Sequence, residues 1–415
     1  MQAQPKSLRL QIGIFGRANV GKSSFLNMLA GQDVSITSSV AGTTTDVVEK
    51  TMELLPLGPV VFLDTAGLDD VSELSARRLE RTGRAMNRAD IALVVVEPEV
   101  WGAPEDELVA VLREKKKPFI VIVNKTDIAP ASPAFMARLV GVTPRVVAVS
   151  SIRRETREAW LNRLKACLLE VCPQDFLQPP SLLGDLVPAG GTVVLVVPID
   201  LEAPKGRLIV PQVQAIRDLL DNDAVAIVVK DREYAACLAN LRRPPDLVVC
   251  DSQVVMKTVA DTPGEVKCTT FSVLFARYKG DLIELARGAA AIEKLAPGDR
   301  VLVAESCSHH ALEDDIGRVK IPRWLRQHVG GDLVVEHCAG RDYPQDLARY
   351  KLVIHCGSCM LTRGETLFRL QQAREAGVPV TNYGVAISLV QGVLRRALSP
   401  FPAALEAFER EFNKK

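Results

Sequence analysis

The segment Gly16-Arg-Ala-Asn-Val-Gly21-Lys22-Ser23 obeys the spacing G-x-x-x-x-G-K-[ST] and stands between an apolar run, Leu8–Phe15, and a helical pattern that begins at Lys22. A strand, a Gly-rich turn and a helix in that order form a phosphate-binding loop, because free backbone N–H groups and a helix N-terminus both attract anions. Lys22 brings a full charge to the β and γ phosphates, and the Ser23 hydroxyl is a ligand for Mg²⁺. Gly16, Gly21 and Ser24 complete the phosphate-facing set. A chance Gly-rich turn would not carry this strand and helix context.

Three further segments follow. Asp64-Thr-Ala-Gly67 ends the apolar run Val60–Leu63, so a carboxylate leaves a strand's C-terminal edge where a Mg²⁺ shell can be completed, and Gly67 offers a backbone N–H to a γ-phosphate. Asn124-Lys125-Thr126-Asp127 follows Phe119–Val123. A carboxylate there accepts from the N1–H and N2–H₂ edge of guanine, which adenine lacks, so the triphosphate selected is GTP. Ser150 and Ser151 follow Arg145–Val149 and support the base, while Gly42-Thr43-Thr44-Thr45-Asp46 lies where a segment can close over the γ-phosphate.

Short β-rich runs alternate with helical patterns along the whole chain, which implies an α/β fold with mostly parallel sheets. The run Cys172-Pro-Gln-Asp-Phe-Leu-Gln-Pro-Pro180 reads as a semi-rigid linker, and Asp261-Thr-Pro-Gly264 is the next punctuation. Three α/β domains are expected: 1–172, a linker at 173–180, then 181–264 and 265–415.

Composition removes some function classes. Lys plus Arg number 51 against 50 Asp plus Glu, a net charge of +1, so no bulk electrostatic pull toward nucleic acid exists. The longest apolar runs are far shorter than the ~20 residues of a membrane span. Nine unpatterned Cys and a start without a signal segment lead us to expect a reducing, cytoplasmic setting and no membrane partner.

The distribution of two residue types is uneven. All five His lie between His309 and His355, and Cys307, Cys338, Cys356 and Cys359 crowd the same stretch. Cys307-Ser-His309 and His355-Cys356-Gly-Ser-Cys359 each follow an apolar run, Arg300–Ala304 and Leu352–His355, and open α/β sheets gather their ligands at such strand ends. Three thiolates with a weaker fourth position suit an iron–sulfur cluster, three thiolates with one His equally suit zinc, and a redox C-x-x-C, which usually opens a helix in a thioredoxin-like unit, is a third option. His337-Cys338 and His310 read as neighbours of the site, His328 as a surface residue, and Cys167, Cys172, Cys237, Cys250 and Cys268 as small core residues.

Over roughly the first 170 residues the ordered segments resemble the Era and TrmE-like GTPases. That resemblance implies that Thr44 is the switch ligand of Mg²⁺, that Asn19 helps to hold a K⁺ ion, and that catalysis rests on Lys22, Thr44, Asp64 and Gly67. Leu68 stands where a water-orienting Gln would be, so a slow, K⁺-stimulated GTP hydrolysis to GDP and phosphate is expected. The GTPase segments together with the Cys/His pattern resemble HydF, the scaffold GTPase family of [FeFe]-hydrogenase maturation, over nearly the whole chain. This implies a 4Fe-4S cluster on Cys307, Cys356 and Cys359 with His309 or His355 as candidate fourth ligand, and Asp314 as an oxygen alternative. It also implies a dimerisation domain at 181–264, a homodimer, a cluster-binding domain at 265–415 and a di-iron subcluster precursor as cargo. The partners implied are radical-SAM maturases and apo-[FeFe]-hydrogenase. The alternatives are an RNA- or tRNA-modifying or ribosome-associated GTPase, and a zinc-stabilised GTPase adaptor.

Overall fold

The computed structural model describes residues 6–30, 48–65, 83, 85–177, 180–199, 206–306, 315–340 and 343–414. The chain folds as two compact units, Met1–Pro179 and Pro180–Lys415. Among the described residues no helix is long and apolar enough to cross a membrane.

The first unit is built on β1 (Leu10–Phe15), β2 (Val48–Leu54), β3 (Gly58–Asp64), β4 (Ile91–Val96), β5 (Phe119–Val123) and β6 (Val146–Ala148), in the order β2-β3-β1-β4-β5-β6. Only β2 runs antiparallel to its neighbour. Every residue of β1, β4 and β5 is buried, as strands covered on both faces require. The chain leaves β1 toward β3 on one side and β4 on the other. That divergence opens a crevice at the carboxyl ends of the strands.

The second unit holds two parallel four-stranded sheets. One contains β7 (Thr192–Val196), β8 (Val225–Val229), β9 (Leu247–Cys250) and β10 (Lys267–Thr270), and the other β11 (Arg300–Ala304), β12 (Val334–Cys338), β13 (Leu352–His355) and β14 (Val380–Asn382). The middle sheet therefore extends past Gly264, where the sequence reading ends that domain. Lys267-Cys-Thr-Thr270 has no apolar run to announce a strand.

The two sheets share one plan. Their orders, β10-β9-β7-β8 and β12-β11-β13-β14, are the same arrangement of first, second, third and fourth strands. Their registers also coincide: Val193 pairs with both Ala226 and Leu247, and Val301 with both Val335 and Leu352. Carried to the fourth strands, the correspondence sets Thr270 beside Cys250 and Asn382 beside His355. In both halves that last strand residue caps the next helix, Thr270 accepting from Val273 N–H and Asn382 from Val385 N–H. The turns read Thr-Thr-Phe-Ser-Val and Thr-Asn-Tyr-Gly-Val. The half-domain is duplicated.

The equivalent turns face each other. Asn382 Nδ2 donates to Ser272 O at 3.0 Å and Oγ at 3.1 Å, and Gly384 N–H donates to Ser272 Oγ at 3.0 Å. Beyond each turn the halves exchange cover: helix Leu282–Ala289 packs on β14, and helix Leu394–Ala397 packs on β10. Arg396 fastens the second exchange by donating to the carbonyls of Pro263, Gly264 and Val266. One hydrophobic core consequently runs through both sheets.

Segment boundaries differ from the sequence reading where glycine or a short polar strand intervenes. The pattern over Ala386–Leu398 divides into helices Tyr383–Val390 and Leu394–Ala397, because Gly392 adopts a φ of +74°. The helix Phe271–Lys279 was not expected, and Gln174–Leu177 makes one helical turn inside the Pro-rich linker.

Gly288 sits where the exchanged helix crosses β14, and a Cβ there would fall 1.9 Å from Val380 O. Backbone cannot yield as a side chain can, so Gly288→Ala is expected to destabilise the second unit by about 1–3 kcal/mol, read as a lower urea midpoint. Gly264→Ala, which meets nothing within 4 Å, is the control. An unchanged midpoint for Gly288→Ala would refute the close crossing.

Candidate nucleotide and thiol sites

The loop after β1 is shaped by its glycines. A Cβ at Gly16 would meet Val95 O at 2.3 Å, and one at Gly21, whose φ is +89°, would meet Asn124 Nδ2 at 2.5 Å. Helix Lys22–Ala30 starts directly beyond, with Phe25 N–H bonded to Gly21 O, leaving the first-turn N–H groups, those of Ser23 and Ser24 included, directed at the loop. Lys22 is buried and its Nζ bridges the loop's own carbonyls, Gly16 O at 3.0 Å and Arg17 O at 2.7 Å. Asn19 lies exposed at the loop's tip with a φ of +61°.

Ser23 Oγ donates to Asp64 Oδ2 at 2.8 Å, joining the two residues expected around Mg²⁺. The other oxygen, Asp64 Oδ1, is buried with no hydrogen-bond partner among the described residues. An orphaned carboxylate oxygen beside a hydroxyl fits a hydrated divalent cation. Thr44 and Gly67 lie outside the described residues.

The base-binding segment is braced from two sides. Asn124 is almost fully buried; its Nδ2 donates to Val20 O at 2.9 Å and its Oδ1 accepts from Ser151 Oγ at 2.7 Å, tying the loop after β5 to the phosphate loop. Ser150 Oγ donates to Asp127 Oδ1 at 2.6 Å and accepts from Arg153 N–H at 3.1 Å. Lys125 has a φ of +59° and reaches Glu97 at 2.5 Å. Ser150 and Ser151 thus brace Asp127 and Asn124.

One support was missed from the sequence. Arg17, inside the phosphate loop, makes a two-pronged ion pair with Glu105, both contacts at 2.7 Å, and Glu105 also accepts from Gly102 N–H. Burial works against the Glu105 charge, but the bonds from Arg17 and Gly102 outweigh it and hold the carboxyl below its usual range. The Gly-Ala-Pro-Glu start of helix Ala103–Glu114, a capping pattern, was the available signal.

In the second unit the loop after β13 carries Cys356 and Cys359. Ser306 ends the described chain after β11, and its N–H donates to Cys356 Sγ at 3.1 Å with its hydroxyl at 3.0 Å from the same sulfur. Cys356 N–H in turn bonds Ala304 O, so the two strand ends are joined. Ser358 sits in the left-handed region, φ +52°, turning the chain between the two thiols. Burial pushes the Cys359 thiol up to about 11, Cys356 adding to the rise and Lys279 opposing it. Hydrogen-bond donors aimed at sulfur are what a metal-bound thiolate needs around it, so the donor set fits such a group. Among the described residues no three His, Cys, Asp or Glu converge on one point, and Cys307, His309, His310 and Asp314 lie outside them.

His355 is buried on β13, its Nε2 3.2 Å from Tyr343 Oη and its ring stacked on Tyr343 at 5.4 Å. Burial, with Arg369 adding to it, lowers its pKa to about 3, so the imidazole is neutral. His337 Nε2 contacts Gly317 O, and His328 pairs with Glu293 at the surface. Cys338 lies in register with Ala304, which on its other side pairs with His355.

Lys279, which the sequence reading passed over, ends helix Phe271–Lys279 and is 1% exposed. Its Nζ donates to Leu361 O at 2.5 Å and Cys359 O at 3.3 Å. Burial draws its pKa down to about 8 against the pull of Cys359, Glu365 and Cys356.

Comparison with known proteins separates the two units. Residues 11–125 match the family model "50S ribosome-binding GTPase". GTPase Der of Wolinella succinogenes is 42% identical over 123 residues, covering 29% of this chain and 26% of that protein. The tRNA modification GTPase MnmE of Synechococcus sp. is 39% identical over 127 residues, covering 29% and 26%. The chain thus spans about a quarter of the length of these curated relatives. The crystal structure of Aquifex aeolicus Era bound to GDP and AlF4⁻ aligns over 53% of this chain and 92% of its own, at 22% identity and a TM-score of 0.33.

The second unit matches two other models. Residues 182–280 match the hydrogen maturase F dimerization domain, and residues 283–400 the hydrogen maturase F tetramerization domain. A tetramerisation domain was not anticipated from the sequence. With a GTPase domain followed by these two domains in succession, the chain belongs to the hydrogen maturase F, or HydF, family.

Proposed function

We propose that this chain binds and hydrolyses GTP in its first unit and holds a 4Fe-4S cluster on Cys307, Cys356 and Cys359 in its second. The observation that carries the second half is the Cys356 sulfur, which receives the N–H of Ser306, the residue immediately before Cys307 in the chain. His309 and His355 are the candidates for the fourth position, and the neutral state of His355 suits a ligand role.

For the nucleotide, Gly16, Asn19, Gly21, Lys22, Ser23 and Ser24 take the phosphates, and Asn124, Lys125 and Asp127 take the guanine. Ser150 fixes the Asp127 carboxylate, so a base without the N1–H and N2–H₂ donors leaves that carboxylate unpaired. Mg²⁺, held by Ser23 and Thr44 with Asp64 behind, neutralises charge on the phosphates. Thr44 and Gly67 are assigned to the γ-phosphate, and with Leu68 in place of a water-orienting Gln the hydrolysis is slow, with K⁺ near Asn19 as its stimulant.

The matched dimerisation and tetramerisation domains support assembly into homodimers and higher oligomers. A cluster, when bound, supplies an iron site with an exchangeable position, and a di-iron subcluster precursor bound near it is the cargo. By family resemblance the precursor arrives from radical-SAM maturases and leaves to apo-[FeFe]-hydrogenase, in the cytoplasm. An RNA-directed role is less well supported, since the tRNA-modifying and Der-type relatives align only with the GTPase segment.

Anaerobic reconstitution of the full chain with iron and sulfide is expected to give a brown protein with a reduced-cluster EPR signal that Cys356→Ala and Cys359→Ala abolish. A colourless chain that binds only zinc would overturn the cluster reading. Asp127→Asn is expected to shift preference from GTP to xanthosine triphosphate, and unchanged preference would refute the guanine contact. Glu105→Gln is expected to weaken GTP binding about tenfold, because a charged hydrogen bond is worth ~1.5–3 kcal/mol and a neutral amide anchors the Arg17 end of the phosphate loop less firmly. The depressed Glu105 carboxyl contributes stability that is present above about pH 4.3, its ordinary value, and is lost as pH falls through the lower folded value. Acid melts of the wild type should therefore fall more steeply below that pH than those of Glu105→Gln.

A further inference from the structure

We infer that Lys279 is the counter-cation of the Cys356 and Cys359 thiolates, a positioning residue through which the matched dimerisation domain raises the reduction potential of a cluster held on the tetramerisation side. The inference rests on the cluster reading above and adds to it a residue outside the cysteine motif.

A buried ammonium is costly unless an anion compensates it. The two groups that Lys279 Nζ bonds, Leu361 O and Cys359 O, are neutral carbonyls, and neutral donors would satisfy them equally. One of those carbonyls belongs to Cys359 itself, so Lys279 is held on the backbone of the residue whose thiol the site would ionise. Glu365 closes the capping box at Thr362, accepting from Thr362 N–H at 3.0 Å. The thiols, once ionised by a metal, are the anions nearest in the chain to the carbonyls that Lys279 holds.

The duplication supplies an internal comparison. By the shared register, Thr270 corresponds to Asn382, so Lys279 corresponds to Gln391. The helix Tyr383–Val390 that leads to Gln391 packs against Ser252–Val254, in the loop after β9, and helix Phe271–Lys279 packs against Arg363–Glu375, the helix that follows the thiol loop. The loop after β9 carries Asp251 and Ser252 where the other carries Cys356 and Gly357. The half whose last helix approaches the cysteine loop has the lysine. Its reciprocal copy, approaching a loop without a cysteine pair, is neutral.

Cys356 and Cys359 would hold the cluster, which when bound would supply a one-electron couple, filled by an external one-electron donor, whose reduced form carries one more negative charge. A fixed cation beside two of its thiolates favours that reduced state.

The test uses the full chain, reconstituted anaerobically and titrated with dithionite under EPR, as wild type, Lys279→Met and Lys279→Arg, with melting curves of each apo-protein. Lys279→Met leaves two buried carbonyls without their donor, so its apo-protein is expected to fold but melt lower than the wild type. Once loaded it is expected to hold the same iron and show a reduced-to-oxidised ratio at least tenfold lower at a fixed potential, which is about 59 mV for one electron. Lys279→Arg is expected to stay within threefold of the wild type. An unchanged ratio in a loaded Lys279→Met would overturn the inference, as would a Lys279→Met that fails to fold or to take up iron, since Lys279 would then be a structural clamp. Failure of the wild type itself to take up a cluster would instead overturn the cluster reading on which the inference rests.

Discussion

Parallel strand pairing is the constraint on which every candidate site in this chain depends. Apart from β2, each described strand runs parallel to its neighbours, so each strand must be followed by a crossover and its loop must emerge at the same edge of the sheet. The phosphate loop, Asp64, the Asn124 to Asp127 segment and the Ser150 pair all leave carboxyl ends in the first unit. The Ser306 and Cys356 segments do the same in the second. Residues far apart in sequence meet because the backbone has only one edge on which to release them.

Within the second unit that rule operates twice. Two half-domains of equal strand order and equal register have exchanged their covering helices, so each fourth strand is shielded by a helix that follows the other half's turn. Small residues make the crossings feasible: Gly384 admits Ser272, and Gly288 admits the β14 backbone. The result is one core in place of two. Helix Phe271–Lys279 lies at the same junction, packing on helices Arg363–Glu375 and Tyr383–Val390 of the other half, and brings Lys279 to the carbonyls of the cysteine loop.

The apolar runs around the candidate nucleotide site are long enough to mark β1, β3, β4 and β5 as buried strands in the sequence, and the division between the two units falls at the end of a Pro-rich run. The residue roles proposed there rest on the fixed spacings that phosphate and guanine recognition require. The duplication was not legible in the sequence, because it resides in register and topology, with only a short Thr-x-aromatic-small-Val turn in common. β10 was missed because Lys267 to Thr270 is polar in composition, and the exchanged helix pair was hidden by Gly392. Lys279 was passed over because a lysine at the end of an amphipathic helix is ordinarily solvated; only tertiary packing reveals that this one is buried. Arg17 and Glu105 are distant in sequence, and nothing in either motif names the other.

On the proposed function, a single chain joins a guanine-nucleotide domain to a thiolate-held iron–sulfur centre. Native mass spectrometry of the anaerobically reconstituted full chain, incubated with GDP and Mg²⁺, tests it most directly. Each protomer is expected to gain the mass of one nucleotide and one 4Fe-4S unit together, the second increment vanishing in Cys356→Ala while the first remains. A chain that gains nucleotide but only a single zinc, or no metal at all, would contradict it.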